Sequence, residues 1–134
     1  MPAGSAADGL GSFSPSEVSR IERAIRNAET MSGLTFSVYV GASEEDSRAY
    51  AVRLHAALPD PDRSVLVMCD PGFRSLEVIS GAQAKRTLND MECGLAAASM
   101  QSSFVAGDIV GGLVRGIQQL GEADRAPRTL HLTP

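Results

Sequence analysis

Carboxylate residues stand where predicted strands end and predicted helices begin, and they carry the chemistry that the sequence points to. Asp70 directly follows an apolar run over residues 64–69, and Asp108 precedes the last helical pattern of the chain. Glu44 and Glu45 lie near the start of an earlier helical pattern, one short turn after another predicted strand. Oxygen ligands of this kind suit the hard cations Ca²⁺ and Mg²⁺.

These carboxylates can share a site only if the strands before them are arranged suitably. If the two strands run parallel, Asp70 and the two glutamates lie in a crevice of the kind where open α/β sheets bind ligands. Asp60 and Asp62 precede the strand that Asp70 follows, so they lie ~20 Å from Asp70 at the opposite strand end. They are therefore excluded from any metal site that contains Asp70. If Asp108 lies near Asp70, the two carboxylates can hold one cation.

Local structural roles are the alternative explanation for the same residues. Asp70 begins an Asp-Pro-Gly turn, where an aspartate commonly binds nearby backbone N–H groups. Asp108 can cap the helix that follows it. Glu44 and Glu45 suit the positive end of a helix dipole. The sequence alone leaves both explanations open.

Composition limits the class of protein. With 134 residues, of which 43% are hydrophobic, the chain is expected to fold as one globular domain. Its net charge of −4 and scattered cations disfavour binding to nucleic acid. No run approaches the ~20 apolar residues of a membrane span, and the N-terminus has no signal-peptide pattern. We therefore expect a cytoplasmic protein without a membrane span.

Residues of other catalytic types are scarce. The chain has two histidines, which are too few for a histidine metal site, and Cys69 and Cys93 are expected to be buried free thiols. No phosphate-binding loop, dinucleotide fingerprint or nucleophile elbow is present, so no organic cofactor is expected.

The order of predicted elements indicates an α/β fold. Helical stripes and caps predict four main helices, and apolar or alternating runs predict three strands. The predicted helices begin after Ser14, Ser43, Asn89 and Asp108, and the predicted strands cover residues 34–40, 65–69 and 73–80. The run 65–69 is apolar on both faces and should be central, with 73–80 antiparallel beside it.

Three segments are predicted along the chain. Residues 1–12 are rich in Gly, Ala and Ser and are expected to form a disordered leader. Residues 13–121 form the α/β domain, and Gly121 is expected to end the last helix. Residues 122–134 form a tail, in which 129–132 can pair as a short edge strand.

The order of the predicted elements, together with a short motif near the C-terminal helix, resembles the TPM domain family. The helical end of the chain carries Phe104-x-x-Gly107-Asp108 followed by glycine-rich helix positions, and the resemblance covers residues 14–121. It implies a three-layer α/β/α sandwich around a small mixed β-sheet. It also carries over Asp70, Arg74 in the strand after it, and Asp108. Residues 59–63 depart from the family, which often has a glycine-rich turn there.

The resemblance also implies candidate functions, because some family members have been assigned divalent-metal binding or acid phosphatase activity and others act as adaptors. We expect a binding module that takes a protein partner and a divalent cation, Ca²⁺ or Mg²⁺. Asp70 is the first ligand, with Asp108, Glu44 and Glu45 as further ligands, and Arg74 is a ligand-binding residue. The alternative is a metal-assisted phosphatase, which is favoured if three or more carboxylates converge on one crevice.

Overall fold

The computed structural model describes residues 7–8 and 13–125, with side chains for residues 13–123. These residues form a four-stranded sheet and four α-helices. In chain order the elements are β1 (Ala7–Asp8), α1 (Pro15–Ser32), β2 (Thr35–Val40), α2 (Ser47–Ala56), β3 (Ser64–Asp70), β4 (Ser75–Ser80), α3 (Asp90–Val105) and α4 (Ile109–Arg125). None of these described helices is both long enough and apolar enough to cross a membrane.

The sheet is built around β3, which lies between β2 and β4 in the strand order β1-β2-β3-β4. β1, β2 and β3 run parallel, whereas β4 is antiparallel to β3 and places Ser75 opposite Asp70. Every residue of β3 is buried. The prediction of a central apolar strand with an antiparallel neighbour is therefore confirmed.

Alternate residues of β3 point into two separate cores. Leu66 and Met68 pack with residues of α2. Val65, Val67 and Cys69 pack with residues of α1, α3 and α4 in a larger core. The mixed sheet therefore lies between two helical layers, and the predicted three-layer α/β/α sandwich is confirmed.

The caps of α1 and α3 lie where the local sequence predicts them. Ser14 and Glu17 make a capping box at the start of α1, and Asn89 and Glu92 make another at the start of α3. Gly33 ends α1 in the left-handed conformation, with φ at 77°. These caps depend on residues within one turn of the helix end, so they can be read from the sequence.

The predicted start of the second helix was wrong. Ser43 was predicted to cap it, but α2 begins at Ser47 and Asp46 is its N-cap, accepting a hydrogen bond from the Ala49 N–H. The backbone N–H of Ser43 instead donates to the carboxylate of Asp70. A long-range contact has therefore replaced the local cap and shifted the helix start by about one turn.

Both predicted ends of the domain also differ from the structure. α4 does not stop at Gly121 but continues to Arg125. Gly121 instead lies against Ala28 of α1, where the close helix contact requires a small residue. Ala7–Asp8 in the predicted leader pair with β2 as a two-residue strand. The rest of the leader and the strand predicted over 129–132 lie outside the described residues.

Candidate functional site

Asp70 joins two loops at the carboxyl end of the sheet. It is 1% exposed, and its carboxylate accepts hydrogen bonds from three backbone N–H groups. Ser43 donates to Oδ2 at 2.8 Å, while Gly72 and Phe73 donate to Oδ1 at 3.0 and 3.3 Å. Asp70 meets the loop after β2 because β2 and β3 run parallel and end at the same edge.

These hydrogen bonds keep the buried carboxylate ionised. Burial alone would raise the pKa of Asp70, but the hydrogen bonds from Ser43, Phe73 and Gly72 outweigh it and hold the pKa below its ordinary value. The hydroxyl of Ser43 also lies close enough to lower this pKa, although it makes no hydrogen bond of acceptable geometry with the described residues. Asp70 is thus a fixed negative charge at the end of β3.

A cavity of about 250 Å³ lies beside Asp70 on the α2 face of the sheet. We call it the acidic cavity, and it is lined by Ser43, Glu45, Asp46, Ser47, Phe73 and Ser75. Ser75 is the cross-strand neighbour of Asp70, so the two side chains project to the same face. Its lining therefore contains several oxygen-bearing side chains and no basic one.

Two hydroxyl groups of the acidic cavity are buried without a partner. Ser43 Oγ and Ser75 Oγ are both shielded from solvent and form no hydrogen bond with the part of the chain that the structure describes. Buried polar groups are nearly always satisfied, because leaving one unpaired costs about 1–3 kcal/mol. Two such groups beside one ionised carboxylate make this cavity the candidate site of the described domain.

The predicted glutamate ligands take different positions. Glu45 lines the acidic cavity, but its Oε2 accepts a hydrogen bond of 2.5 Å from Arg53 Nε. Asp46, which was not predicted as a ligand, lines the cavity and also caps α2. Glu44 is exposed and is not part of the lining. The carboxylates around the cavity are therefore partly engaged in structural contacts.

Asp108 lies in a different layer, because α4 packs on the opposite face of the sheet from the acidic cavity. Its Oδ1 accepts a hydrogen bond from the Gly111 N–H at 2.9 Å, and its Oδ2 lies 3.3 Å from Arg115 Nη2. These two interactions hold the pKa of Asp108 below its ordinary value. Within the described residues, no group of three or more His, Cys, Asp or Glu side chains is placed to hold a metal ion.

A second cavity, of about 280 Å³, lies on the α3 and α4 side of the same sheet edge. It is lined by Cys69, Pro71, Arg74, Gln101, Phe104, Val105, Gly107 and Ile109. Arg74 is in the turn before β4 and not in the strand as predicted, with φ at 54° and its carbonyl held by Gln101 Nε2. Burial raises the pKa of the Cys69 thiol to about 12. The thiol therefore stays protonated at neutral pH and is a poor nucleophile.

Comparison with known proteins identifies the family. The sequence profile of a family described as a domain of unknown function, DUF5130, matches residues 4–121. The chain belongs to this family. The matched range includes the residues that line both cavities and all of the predicted site residues. Both cavities therefore lie within the domain that defines the family.

Sequence relatives come from a mycobacterium. The chain is 31% identical over 85 residues to the uncharacterised protein Rv2468c of Mycobacterium tuberculosis H37Rv, and equally to its counterpart MT2543 in strain CDC 1551. The match covers 63% of this chain and 51% of each relative. The chain therefore spans about half the length of the curated relatives it matches.

Solved structures share the fold at low sequence identity. The BA42 protein of Bizionia argentinensis superposes with a TM-score of 0.74 at 22% identity, covering 83% of this chain and 80% of that one. The N-terminal domain of cg2496 from Corynebacterium glutamicum gives 0.73 at 16% identity, with 88% and 78% covered. At these identities the likeness establishes the fold alone.

Ser75 and Asp46 line the acidic cavity but were not predicted from the sequence as ligands. Ser75 was hidden inside an alternating strand pattern, and only its register opposite Asp70 brings it to the cavity. Asp46 was assigned to the first turn of a helix and not to a ligand position. The sequence signal for this site was the position of Ser43 and Asp70 after two predicted strands, whose ends meet if the strands run parallel.

Proposed function

We propose that the chain is a binding module that takes a hard divalent cation, Ca²⁺ or Mg²⁺, in the acidic cavity. The observation that supports this proposal is the pair of buried hydroxyl groups, Ser43 Oγ and Ser75 Oγ, left without partners beside the ionised carboxylate of Asp70. A cation accepts lone pairs from both hydroxyls and from carboxylates, so it relieves the cost of burying them.

The chemistry of the donor set fits this class of ion. Ser43, Ser75 and the carboxylates of Glu45 and Asp46 line the cavity, and Asp70 lies next to it. All of them offer hard oxygen atoms, which Ca²⁺ and Mg²⁺ prefer over softer metals. The resemblance to the TPM family supports the same ligand, because divalent-metal binding has been assigned to some of its members. Among the described residues, no side chain with a nitrogen or sulfur ligand lines the cavity.

The affinity of the proposed site is expected to be low. Asp70 already accepts three backbone hydrogen bonds, Glu45 is paired with Arg53, and Asp46 caps α2. Sites with few free carboxylates bind Ca²⁺ with dissociation constants of about 10⁻⁴–10⁻³ M. The cation is therefore expected to act at millimolar concentration.

A protein partner is the second part of the proposal, and the rim of the cavity supports it. Phe73 lines the acidic cavity and is 78% exposed. Exposed aromatic side chains often anchor protein contacts, because they bury a large apolar area. A cation beside Phe73 would order the turn that carries it.

The competing function is a metal-assisted phosphatase. Such an enzyme needs a cation held firmly enough to polarise a phosphoryl oxygen, which usually requires several carboxylate ligands. Asp70 and Asp108 lie on opposite faces of the sheet, and the described residues offer no cluster of three acidic or other strong ligands. The geometry therefore favours the binding module.

Thermal melts with and without metal test the proposal. Millimolar Ca²⁺ or Mg²⁺ should raise the melting temperature of the wild type, because metal at a tenfold excess over the dissociation constant adds about 1.4 kcal/mol to the free energy of unfolding. Ser43→Ala and Ser75→Ala should lose most of this gain. In metal-free buffer Ser75→Ala should be as stable as the wild type, because it loses only an unpartnered hydroxyl.

Ser102→Ala is the matched control, since Ser102 is exposed on α3 far from the cavity. It should keep the full metal response. A flat wild-type melt would rule out the cation, and an undiminished response in both cavity variants would place the cation elsewhere. Phosphatase activity against a simple phosphomonoester, present with metal and lost in Ser75→Ala, would favour the competing function.

A further inference from the structure

A second polar groove lies between α1 and α4, away from the acidic cavity. It has a volume of about 160 Å³ and a floor formed by Ala24 and Val114. Its polar walls are Arg20, Arg23 and Asn27 of α1 and Gln118 of α4. We call this the basic groove, because it concentrates positive charge in a chain whose net charge is −4.

Arg20 and Arg23 are neighbouring like charges on α1. Glu17, the acidic neighbour of Arg20 at helical spacing, is used in the capping box with Ser14. The two arginines are three residues apart, so they lie on one face of α1 and repel each other. Neither forms an ion pair or a hydrogen bond with the described residues. Arg26 differs, because Glu22 and Glu29 stand at helical spacing on either side of it. Arg26 is also three residues from Arg23, but it has these acidic neighbours, whereas Arg23 has no acidic residue at helical spacing.

The acid that Arg20 influences does not neutralise the groove. Arg20 helps to lower the pKa of Asp108, after the larger effects of the Gly111 N–H and Arg115. The oxygens of Asp108 are already used by the Gly111 N–H and the Arg115 guanidinium. Arg20 and Arg23 thus keep a surplus of positive charge facing solvent.

The two carboxamides add neutral donors to the same groove. Asn27 lies one turn after Arg23 on the same helix face, and Gln118 faces it from α4. Neither side chain makes a hydrogen bond within the described part of the chain. All four polar side chains can therefore direct N–H groups toward one bound group, and none of them carries a negative charge.

We propose that the basic groove binds the phosphoryl group of a small phosphorylated molecule. A guanidinium offers a planar fork of N–H donors that matches two oxygens of a phosphate, and two forks match its double negative charge. A lone carboxylate would leave one arginine unneutralised. The groove is short and the other described arginines are dispersed, so a single phosphate group is favoured over an extended polyanion.

Titration with inorganic phosphate and with phosphoserine, followed by amide chemical shifts, tests this proposal on the full chain. Both ligands should produce saturable shifts in α1 and α4 around the groove, beyond those caused by sodium chloride at equal ionic strength. The double variant Arg20→Gln, Arg23→Gln should weaken binding about tenfold or more. Its melting temperature without phosphate should not fall, because a repulsion is removed.

Arg26→Gln is the matched control, since it lowers the charge of the same helix outside the groove. It should bind both ligands as the wild type does. Equal weakening in Arg26→Gln, or wild-type shifts no larger than those with chloride, would overturn the proposal. Binding of inorganic phosphate without phosphoserine would overturn the assignment to phosphate esters. The double variant should keep its response to Ca²⁺ and Mg²⁺, so this test is separate from that of the acidic cavity.

Discussion

At the scale of single residues, Asp70 has both a structural and a proposed ligand-binding role. Its carboxylate fixes the loop after β2 and the turn after β3 through three backbone N–H groups. From the sequence, Asp70 meets the loop after β2 only if β2 and β3 run parallel, and the structure meets that condition. The sequence could not predict the unpartnered hydroxyls, since these depend on side-chain geometry after folding.

Asp70→Asn should destabilise the protein at neutral pH. One carboxylate oxygen becomes an NH₂ group, which cannot accept a hydrogen bond, so at least one buried N–H donor loses its partner. We expect a loss of about 1–3 kcal/mol in the free energy of unfolding, measured by urea denaturation. Asp62→Asn, at an exposed position on the surface, should change it by less than about 0.5 kcal/mol.

The lowered pKa of Asp70 also predicts a pH dependence. A carboxylate whose pKa is lower in the folded than in the unfolded state stabilises the fold fully above its unfolded pKa, about 4. That stability is lost as the pH falls through the folded pKa. Urea melts from pH 6 down to pH 2 should show a steeper loss for the wild type than for Asp70→Asn. Parallel curves would contradict a native carboxylate held ionised by these hydrogen bonds.

At the scale of elements, α4 is held by its apolar stripe and by close contacts at glycine. Leu113 and Ile117 stand at helical spacing in the sequence and are fully buried. Gly121 lies where a Cβ atom would approach Ala28 Cα to 2.9 Å. The sequence could not predict this contact, because Gly121 has the local signature of a helix end and its contact with α1 depends on the tertiary fold.

Two glycine substitutions separate helix propensity from packing. Gly94→Ala in α3 should stabilise the protein by about 0.5–1 kcal/mol, because nothing lies within 4 Å of the added Cβ. Gly121→Ala should destabilise it, because the added Cβ meets the backbone of α1, which cannot yield as a flexible side chain does. Chemical denaturation measures both changes. An equal gain in the two variants would contradict the close contact between α1 and α4.

Leu113→Ala tests the core between α4 and the sheet. Leu113 is 0% exposed, so truncation removes apolar contacts and leaves a cavity. We expect a loss of about 2–5 kcal/mol in the free energy of unfolding in a reversible denaturant melt. A loss below about 1 kcal/mol would show that this stripe of α4 is not packed in the core.

At the scale of the whole molecule, the sheet separates the candidate sites by face. The acidic cavity lies on the α2 face, whereas the basic groove lies between α1 and α4 on the other. The fold class, the central strand and the antiparallel hairpin were predictable, because each follows from the local pattern of apolar residues around β3. The separation of Asp70 from Asp108 was not predictable, because it depends on the layer in which α4 packs.

Binding of a divalent cation in the acidic cavity beside Asp70 is the property on which the proposed function depends. Its most direct test is a titration of the wild-type protein with Ca²⁺ or Mg²⁺ while the backbone amide shifts are followed by NMR. If the cation binds there, saturable shifts appear at millimolar metal and are largest at the amides of Ser43, Phe73 and Ser75, which surround the cavity. An absence of saturable shifts, or shifts that are largest around Asp108 on the opposite face, would contradict binding at this site.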